Sequence, residues 1–328
     1  MNVKTNVVII CFNALEYTRA TLASLFEKTK SDYILTIVNN GSREDTREFL
    51  NNLVVPSNCK EYILIDNPEN MGSSYANNQA FAVSLDKRVL YTCFCNNDLY
   101  FSNNWLTMLE ECLDNNSKIA MVNPLRPSTR VLYDYDMSTM MKLSQLEETS
   151  DYKKELEDYT GMSISDFDIF CKKIVAVNSE NSLNAIEIIK FPDALSTCVC
   201  LVNNKYIAKL EHFADPIFKR YGGEDIDTSW RVMEAGYDCA IAKNVYVHHF
   251  RGKSLKSNNL DRRALISASN QKLYEKWKND INSLLIKQEL DGVDIEAKLL
   301  YDTDNFWLLS QLNKGIDLIA NLRERASV

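Results

Sequence analysis

The sequence predicts an α/β protein built on a mostly parallel central sheet with helices on both faces. Short runs rich in Val, Ile and Leu alternate with amphipathic segments from the start, beginning with the strand-like runs TNVVIIC (5–11) and YILTIVN (33–39). The same alternation continues to residue 123, and parallel strands joined by helices are buried on both faces. We therefore expect ligands to bind beyond the carboxyl ends of the strands.

Each element of this first part follows from its local pattern. The first helix is predicted from NALEYTRATLASLFEKTK, in which Asn13 can cap the helix and Glu16 can reach back from three residues later. Further helices are predicted from REDTREFLNNL, SYANNQAFAVS and NWLTMLEECLDN, and they alternate with the strands EYILID, RVLYTCFC and KIAMVN. The order is that of a sheet covered on both faces.

The alternation breaks near residue 131. Residues 131–190 are acidic and irregular, which predicts a mostly helical insertion over the ligand side of the sheet. Strand-like order resumes with ALSTCVCLVN (194–203) and NVYVHH (244–249). We expect one domain over residues 1–254, followed by a helical extension over 255–328 that could form a homodimer surface.

Composition limits the classes of partner. The 328 residues carry a formal net charge of −8, which argues against nucleic acid or an anionic membrane surface as a partner. The N-terminal apolar run is too short to span a bilayer, so we expect a soluble, cytoplasmic protein without a membrane span. The nine cysteines fit reduced thiols, and the pairs CFC (93–95) and CVC (198–200) are interpreted as strand packing rather than zinc ligands.

Polar side chains follow each of the first four strands. They are Asn13, Asn39-Asn40-Gly41-Ser42, Asn70-Met71-Gly72 and Asn96-Asn97-Asp98. Any one of these clusters alone is explained by a turn, because Asn, Gly, Ser and Asp favour turns. Their coincidence at one edge of one sheet favours a polar ligand with many hydroxyl groups, such as a nucleotide sugar.

Asp98 is the candidate metal anchor. A diphosphate cannot bind an acidic site without a cation, and Mg²⁺ and Mn²⁺ prefer carboxylate, phosphate and water oxygens. His248 and, with less support, His249 could add a nitrogen ligand at the end of the strand NVYVHH. The alternatives are that Asp98 caps the helix beginning near Asn103 and that the histidines are packing residues.

The segment GGEDIDTSWR (222–231) is the candidate catalytic motif. Asp227 and Arg231 are spaced i, i+4, and a structural ion pair is the favoured interpretation for them. Glu224 and Asp225 are crowded carboxylates that raise each other's pKa, so one of them, Asp225 by preference, could act as general base.

The order of these motifs resembles that of the family 2 glycosyltransferases, particularly the rhamnosyltransferase-like branch. The resemblance rests on VVIICFNALEYTRATLASL, IVNNGSREDT, NPENMGSSYANNQAF, CNNDLYFSNNWLTML, ALSTCVCLVNNKYI, GGEDIDTSWRVMEAGYD and VHHFRGKS, and it covers roughly residues 5–130 and 190–254. It implies a GT-A fold, with a Rossmann-like, mostly parallel sheet. It also implies an inverting, metal-dependent transfer of a sugar from a nucleoside diphosphate to a hydroxyl acceptor.

The resemblance implies roles for individual residues. Asn96-Asn97-Asp98 stands at the family's Asp-x-Asp motif, Asp225 with Glu224 at its catalytic base, and His248 at its C-terminal metal or phosphate histidine. Position 39 commonly carries an aspartate that contacts the base, and Asn39 leaves the nucleotide open, with UDP or dTDP expected. The donor contacts that we expect are Cys11, Asn13, Asn39, Gly41, Asn70, Gly72, Asn78, Asn96, Asn97, Arg251 and Lys253.

The acceptor and two other functions stay open. The acceptor hydroxyl could belong to a glycan, a protein or a small molecule, and Tyr133, Tyr135 and Tyr152 of the insertion could stack on it or pack the insertion's own core. A non-catalytic nucleotide-sugar-binding protein is one alternative. A sugar-phosphate nucleotidyltransferase is the other, although CFNALEYT (11–18) lacks a glycine-rich, basic triphosphate loop.

Overall fold

The structure, a computed structural model, describes residues 3–127, 151–180, 185–219 and 221–290. The predicted insertion falls partly outside these residues, as do its Tyr133 and Tyr135 and the part of the predicted extension after residue 290. Within the described residues no helix is long and apolar enough to cross a membrane.

The described residues form one nine-stranded sheet. Its strands are β1 Thr5–Cys11, β2 Tyr33–Asn40, β3 Cys59–Asn67, β4 Tyr91–Asn96, β5 Leu99–Phe101, β6 Ile119–Leu125, β7 Ile186–Ile189, β8 Val199–Asn203 and β9 Asp238–His249. The order across the sheet is β3-β2-β1-β4-β8-β6-β9-β5, and β7 also pairs with β9.

Helices cover both faces of the sheet. They are α1 Leu15–Lys28, α2 Glu44–Asn51, α3 Ser73–Asp86, α4 Trp105–Asp114, α5 Tyr152–Thr160, α6 Phe167–Glu180, α7 Asn204–Ile207, α8 Glu224–Glu234, α9 Lys253–Ser257 and α10 Arg262–Leu290. A short 3₁₀ turn, Ile164–Asp166, precedes α6, and α10 is kinked at Trp277. The described part of the predicted insertion contains the helices α5 and α6 but also the strand β7, which the sequence did not predict and which pairs with β9.

The first four strands follow the sequence expectation, and β8 adds a feature that the sequence did not predict. Strands β3, β2, β1 and β4 are parallel neighbours. Strand β8 lies antiparallel between β4 and β6, with Cys95 opposite Val199. Because β8 runs backwards, its first residues lie beside the carboxyl end of β4, at the edge where ligands are expected.

Alternation along the strands divides the core between the two faces of the sheet. On β4, Cys93 and Cys95 face one apolar cluster, whereas Phe94 faces the other and stacks on Phe213 with ring centroids 3.9 Å apart. All nine cysteines are free and buried. The packing interpretation of the CFC pair is confirmed.

A third apolar cluster packs helix α10 against the candidate catalytic motif. Trp277 and Leu273 of α10 pack with Trp230 of α8 and with Phe218, and the indoles of Trp230 and Trp277 meet edge to face at 5.4 Å. Burying such large side chains holds α10 against α8 and so fixes the position of the acidic residues at the start of α8.

Candidate active site

Asp98 and His249 form a buried pair at the carboxyl edge of the sheet. The β5–β9 pairing sets Leu99 opposite His249, and the carboxylate Oδ1 of Asp98 lies 3.1 Å from Nε2 of His249. Asp98 is only 3% exposed, and its Oδ2 also accepts the backbone N–H of Lys253 at 3.3 Å. The predicted metal anchor therefore lies beside an imidazole and the loop after β9.

The two histidines have different surroundings. Burial lowers the pKa of His249, but Asp98 and Cys198 raise it by more, to about 9. His248 points to the opposite face of β9, where its Nδ1 lies 3.1 Å from the Tyr246 hydroxyl, and burial lowers its pKa to about 3. The geometry favours His249, not the sequence-preferred His248, as the partner of Asp98.

The two asparagines before Asp98 also have different surroundings. The Asn97 amide donates to the Asn13 carbonyl at 2.9 Å and to Thr18 Oγ1 at 2.8 Å, and its Oδ1 accepts from Ser254 Oγ at 2.9 Å. Asn97 is 2% exposed and joins three segments of the protein. Asn96 is half-buried, with its Nδ2 3.2 Å from Nε2 of His249. Asn96 therefore faces the Asp98–His249 pair.

The side chains after β1 and β2 bond to neighbouring loops. Asn39 donates to Asp66 Oδ1 at 2.7 Å and accepts from the Ser42 N–H at 3.2 Å. Asn13 accepts the Arg43 N–H at 2.7 Å, and its amide donates to Asn258. These contacts tie the loop after β2 to those after β1 and β3.

Asn40 is the centre of a second amide network. Its Oδ1 accepts from Asn67 Nδ2 and from the Met71 N–H, both at 3.1 Å, and its Nδ2 donates to Asn70 Oδ1 at 3.0 Å. Asn67 and Gln79 exchange two further hydrogen bonds. The loops after β2 and β3 are therefore held together by side-chain amides.

Two of the predicted donor-site glycines have left-handed backbones. Gly41 has φ +79°, and a Cβ on it would lie 2.3 Å from the carbonyl carbon of Glu69, so only glycine lets these loops touch. Gly72 has φ +89° at the start of α3. Two further predicted donor contacts bond within the protein, since Asn78 exchanges hydrogen bonds with the Ala214 backbone and Cys11 lies 3.6 Å from Thr18 Oγ1. Contacts of these residues with a donor stay a prediction.

Glu224 and Asp225 begin α8 after Gly222 and Gly223, which have φ of +80° and +86°. Glu224 is 6% exposed, its Oε2 makes no hydrogen bond, and burial together with Asp225 raises its pKa to about 7. Asp225 is half-buried and accepts the Ile226 N–H at 2.9 Å, and burial raises its pKa as well. Both groups have the raised basicity expected of a proton acceptor.

The bridging segment, residues 195–198, joins these acids to the Asp98–His249 pair. Ser196 hydrogen-bonds to Asp225 and accepts the Cys198 N–H at 3.3 Å. Burial raises the pKa of the Cys198 thiol, but Arg126 and His249 lower it by more, to about 7. Cys198 therefore lies beside His249, and Arg126 acts on both Cys198 and Asp225.

Sequence reasoning missed Arg126 and Ser196 and interpreted Cys198 as packing. The antiparallel position of β8 brings Ser196 and Cys198 to the site, and Arg126 directly follows β6, which pairs with β8. The local signals were a basic residue three positions after the predicted strand KIAMVN, for Arg126, and a polar residue near the start of the predicted strand ALSTCVCLVN, for Ser196.

Asp227 has the structural role predicted for it. Its carboxylate is fully buried and accepts from Arg231 Nε at 2.8 Å, Trp277 Nε1 at 2.8 Å and Lys276 Nζ at 2.7 Å. The predicted i, i+4 ion pair is confirmed, and it also ties α8 to α10.

The loop after β9 carries the two basic residues among the predicted donor contacts, Arg251 and Lys253. Arg251 is half-buried with φ +59°, and Lys253 begins α9. The Lys253 ammonium lies 2.7 Å from Glu155 Oε2 of α5. Glu155, which the sequence did not single out, therefore connects the insertion to this loop.

Asp98 and His249 fit a cation that also takes oxygen ligands from water or a phosphate. In the described ranges no cluster of three or more His, Cys, Asp or Glu side chains is arranged to hold a metal ion. Asp98 and His249 are close enough to share one ion at their 3.1 Å separation. Mg²⁺ and Mn²⁺ bind through one or two protein ligands plus phosphate and water, so the pair fits such an ion.

Comparison with known proteins identifies the family. Residues 6–174 match the model of glycosyl transferase family 2, whereas no curated protein matches the chain. A solved structure described as "Crystal structure of GalNAc-T7 with UDP, GalNAc and Mn2+" is 14% identical with a TM-score of 0.46, over 75% of this chain and 44% of that chain. The chain thus spans less than half of that structure's length. The predicted GT-A fold is confirmed, and because the family match covers more than half of the 328 residues, the protein belongs to glycosyl transferase family 2.

Proposed function

We propose that the protein is an inverting glycosyltransferase that moves a hexose or a rhamnose-type deoxyhexose from a UDP- or dTDP-sugar to a hydroxyl group. The observation that carries the proposal is the bridging segment, which has the Asp98–His249 pair at one end and the Glu224–Asp225 pair at the other. Ser196 and Cys198 are two positions apart, so the two pairs contact neighbouring residues of one short segment. That spacing suits a donor diphosphate on one side and an acceptor hydroxyl on the other.

Asp98 and His249 would hold Mg²⁺ or Mn²⁺ on the donor side. When bound, the cation supplies positive charge to the diphosphate as the bond to the sugar breaks. Arg251 and Lys253 lie in the adjacent loop and add positive charge for the same leaving group. The amide networks after β1, β2 and β3 hold the loops of the donor side in place before binding.

Asp225 is the proposed general base. It accepts the proton from the acceptor hydroxyl, whose oxygen attacks the anomeric carbon from the face opposite the diphosphate. Glu224 has a pKa of about 7, so near neutral pH it is protonated part of the time and adds less than a full negative charge beside Asp225. The burial of Glu224 also keeps bulk water away from the reacting centre.

The acceptor is proposed to approach from the side of the insertion and could be a glycan, a protein or a small molecule. Tyr152 of α5 is half-buried and packs edge-on against Phe250 at 6.4 Å, which supports a packing role for this tyrosine. A cytoplasmic location and a homodimer formed through the chain after residue 255 stay predictions.

A screen of nucleotide sugars with and without Mn²⁺ tests the proposal. We expect a UDP- or dTDP-sugar to raise the melting temperature only when Mn²⁺ is present, since a ligand that binds the folded state stabilises it. Asp98→Asn should abolish the rise in melting temperature that the donor gives with Mn²⁺. Asp86→Asn, at an exposed position of α3, should keep that rise. Metal-independent stabilisation, or full Mn²⁺ dependence in Asp98→Asn, would contradict the assignment. Donor binding without any donor turnover would favour the non-catalytic alternative.

A further inference from the structure

Lys253 is held by the insertion rather than pointing freely into the site. Its ammonium lies 2.7 Å from Glu155 Oε2 and 5.1 Å from the centre of the Tyr17 ring. The two charged side chains are 14% and 17% exposed, so the ion pair is partly withdrawn from water and stronger than a typical surface pair. Lys253, one of the two predicted basic donor contacts of this loop, is therefore already paired with a carboxylate.

The same lysine is anchored next to the proposed metal ligand through its backbone. The Lys253 N–H donates to Asp98 Oδ2 at 3.3 Å. The Lys253 side chain therefore starts from a backbone position that contacts the Asp98 carboxylate. The diphosphate would bind beside that carboxylate. Rotation of its χ angles can turn the ammonium from α5 toward that diphosphate without moving the backbone.

Glu155 has a second partner that would remain if Lys253 moved away. Tyr17 donates its hydroxyl to Glu155 Oε2 at 2.6 Å. Helix α5 is also held by its buried Leu156 and by the contact of Tyr152 with Phe250. Release of Lys253 would therefore leave neither a bare buried carboxylate nor a detached helix, which lowers the cost of exchanging partners.

We propose that Glu155 competes with the donor diphosphate for Lys253. In the donor-free protein Lys253 pairs with Glu155, and on donor binding its ammonium turns to the diphosphate beside Asp98. This inference rests on the proposed function, because it requires a diphosphate at Asp98. It makes the insertion a regulator of donor affinity: a ligand that draws Glu155 away from Lys253 strengthens donor binding, and the reverse follows by linkage.

Titration calorimetry with pyrophosphate in the presence of Mn²⁺ tests the competition without requiring the nucleotide base. Glu155→Gln retains an oxygen acceptor for Tyr17 but removes the charge, so we expect the dissociation constant to fall by about fivefold. Glu157→Gln is the matched control, since Glu157 is exposed on the same helix and its replacement changes the net charge equally. This control should bind pyrophosphate like the wild type, and circular dichroism should show unchanged helix content in both variants.

The Lys253→Met background separates competition from simple removal of negative charge. There, Glu155→Gln should change the dissociation constant by less than about 1.5-fold. If Glu155→Gln strengthens pyrophosphate binding equally in both backgrounds, or does not strengthen it in the wild-type background, the inference is wrong. In either case, binding of pyrophosphate with Mn²⁺ by the wild type would still support the proposed function. Absence of any such binding by the wild type overturns both.

Discussion

Two regions at the carboxyl edge of the sheet differ in how completely their polar side chains are hydrogen-bonded. The amide region, Asn13, Asn39, Asn40, Asn67 and Asn70, consists of side chains that bond to one another and to neighbouring backbones. The acid region, Asp98, Glu224, Asp225 and His249, leaves Glu224 Oε2 and His249 Nδ1 buried without a hydrogen bond. An amide both donates and accepts, whereas a carboxylate only accepts, so a group of carboxylates needs protons or cations from elsewhere.

Because of this difference, we assign a structural role to the amide region and the proposed chemistry to the acid region. The amide region can be complete in the ligand-free protein and so hold its loops in a fixed shape. In the acid region burial raises the pKa of Glu224 and of Asp225, and Glu224 Oε2 and His249 Nδ1 lack hydrogen-bond partners, which is costly for buried polar atoms. Within α8 the contrast recurs over two residues, since Asp227 accepts from three side-chain donors whereas Asp225, the proposed base, accepts from the Ile226 N–H and bonds to Ser196.

Asp225→Asn tests the chemical side of the comparison with the largest expected effect. The amide keeps the shape of the side chain but cannot take a proton, so the rate of sugar transfer should fall by about a thousandfold. Donor affinity should change little. The measurement is product formation at saturating donor, with Glu234→Gln as an exposed control on the same helix. A rate within about threefold of the wild type would show that Asp225 is not the base.

Asp227→Ala should act on stability rather than on proton transfer. It leaves the buried donors of Arg231, Lys276 and Trp277 without their acceptor, and we expect the free energy of unfolding to fall by about 3–5 kcal/mol. Urea unfolding followed by circular dichroism gives the value. Glu234→Ala should change it by less than about 0.5 kcal/mol. A loss below about 1 kcal/mol in Asp227→Ala would contradict the structural role.

Glu224→Gln should change the pH dependence of stability. The pKa of Glu224 rises from 4.5 to about 7 in the folded protein, so folding favours the protonated form. The stabilisation that this gives is complete below pH 4.5 and is lost as the pH rises through about 7. Glutamine does not titrate, and the free energy of unfolding of Glu224→Gln relative to wild type should therefore increase by about 3 kcal/mol between the two limits.

Urea unfolding at several pH values measures this difference. Glu234→Gln should run parallel to the wild type, because Glu234 is exposed. A Glu224→Gln curve that also runs parallel would mean that Glu224 titrates normally in the folded protein.

Asn67→Ala tests the amide region and should have the smallest effect. It removes the two hydrogen bonds with Gln79 and one with Asn40, but Gln79 is half-buried and Asn40 keeps its bonds to Met71 and Asn70, so we expect a loss of about 1–2 kcal/mol at every pH. Asn51→Ala, at an exposed position of α2, is the control and should change the free energy of unfolding by less than about 0.5 kcal/mol. A strongly pH-dependent loss would contradict the view that this region is neutral scaffolding.

Several features of the protein follow from the sequence alone. The alternation of strands and helices predicted the sheet and its ligand edge, because period and composition decide the local structure. The i, i+4 spacing predicted the Asp227–Arg231 pair, and the apolar surroundings predicted buried cysteines. Each of these depends on neighbours a few residues away.

Other features were decided only by the tertiary structure. The pairing of β5 with β9 chose His249 rather than His248 for the contact with Asp98, and the antiparallel position of β8 brought Ser196 and Cys198 to the site. Glu155 reached Lys253 across 98 positions of the sequence, from 155 to 253. The physical reason is that strand order, register and the packing of an insertion depend on contacts between distant residues, and local spacing carries no information about which distant partners meet.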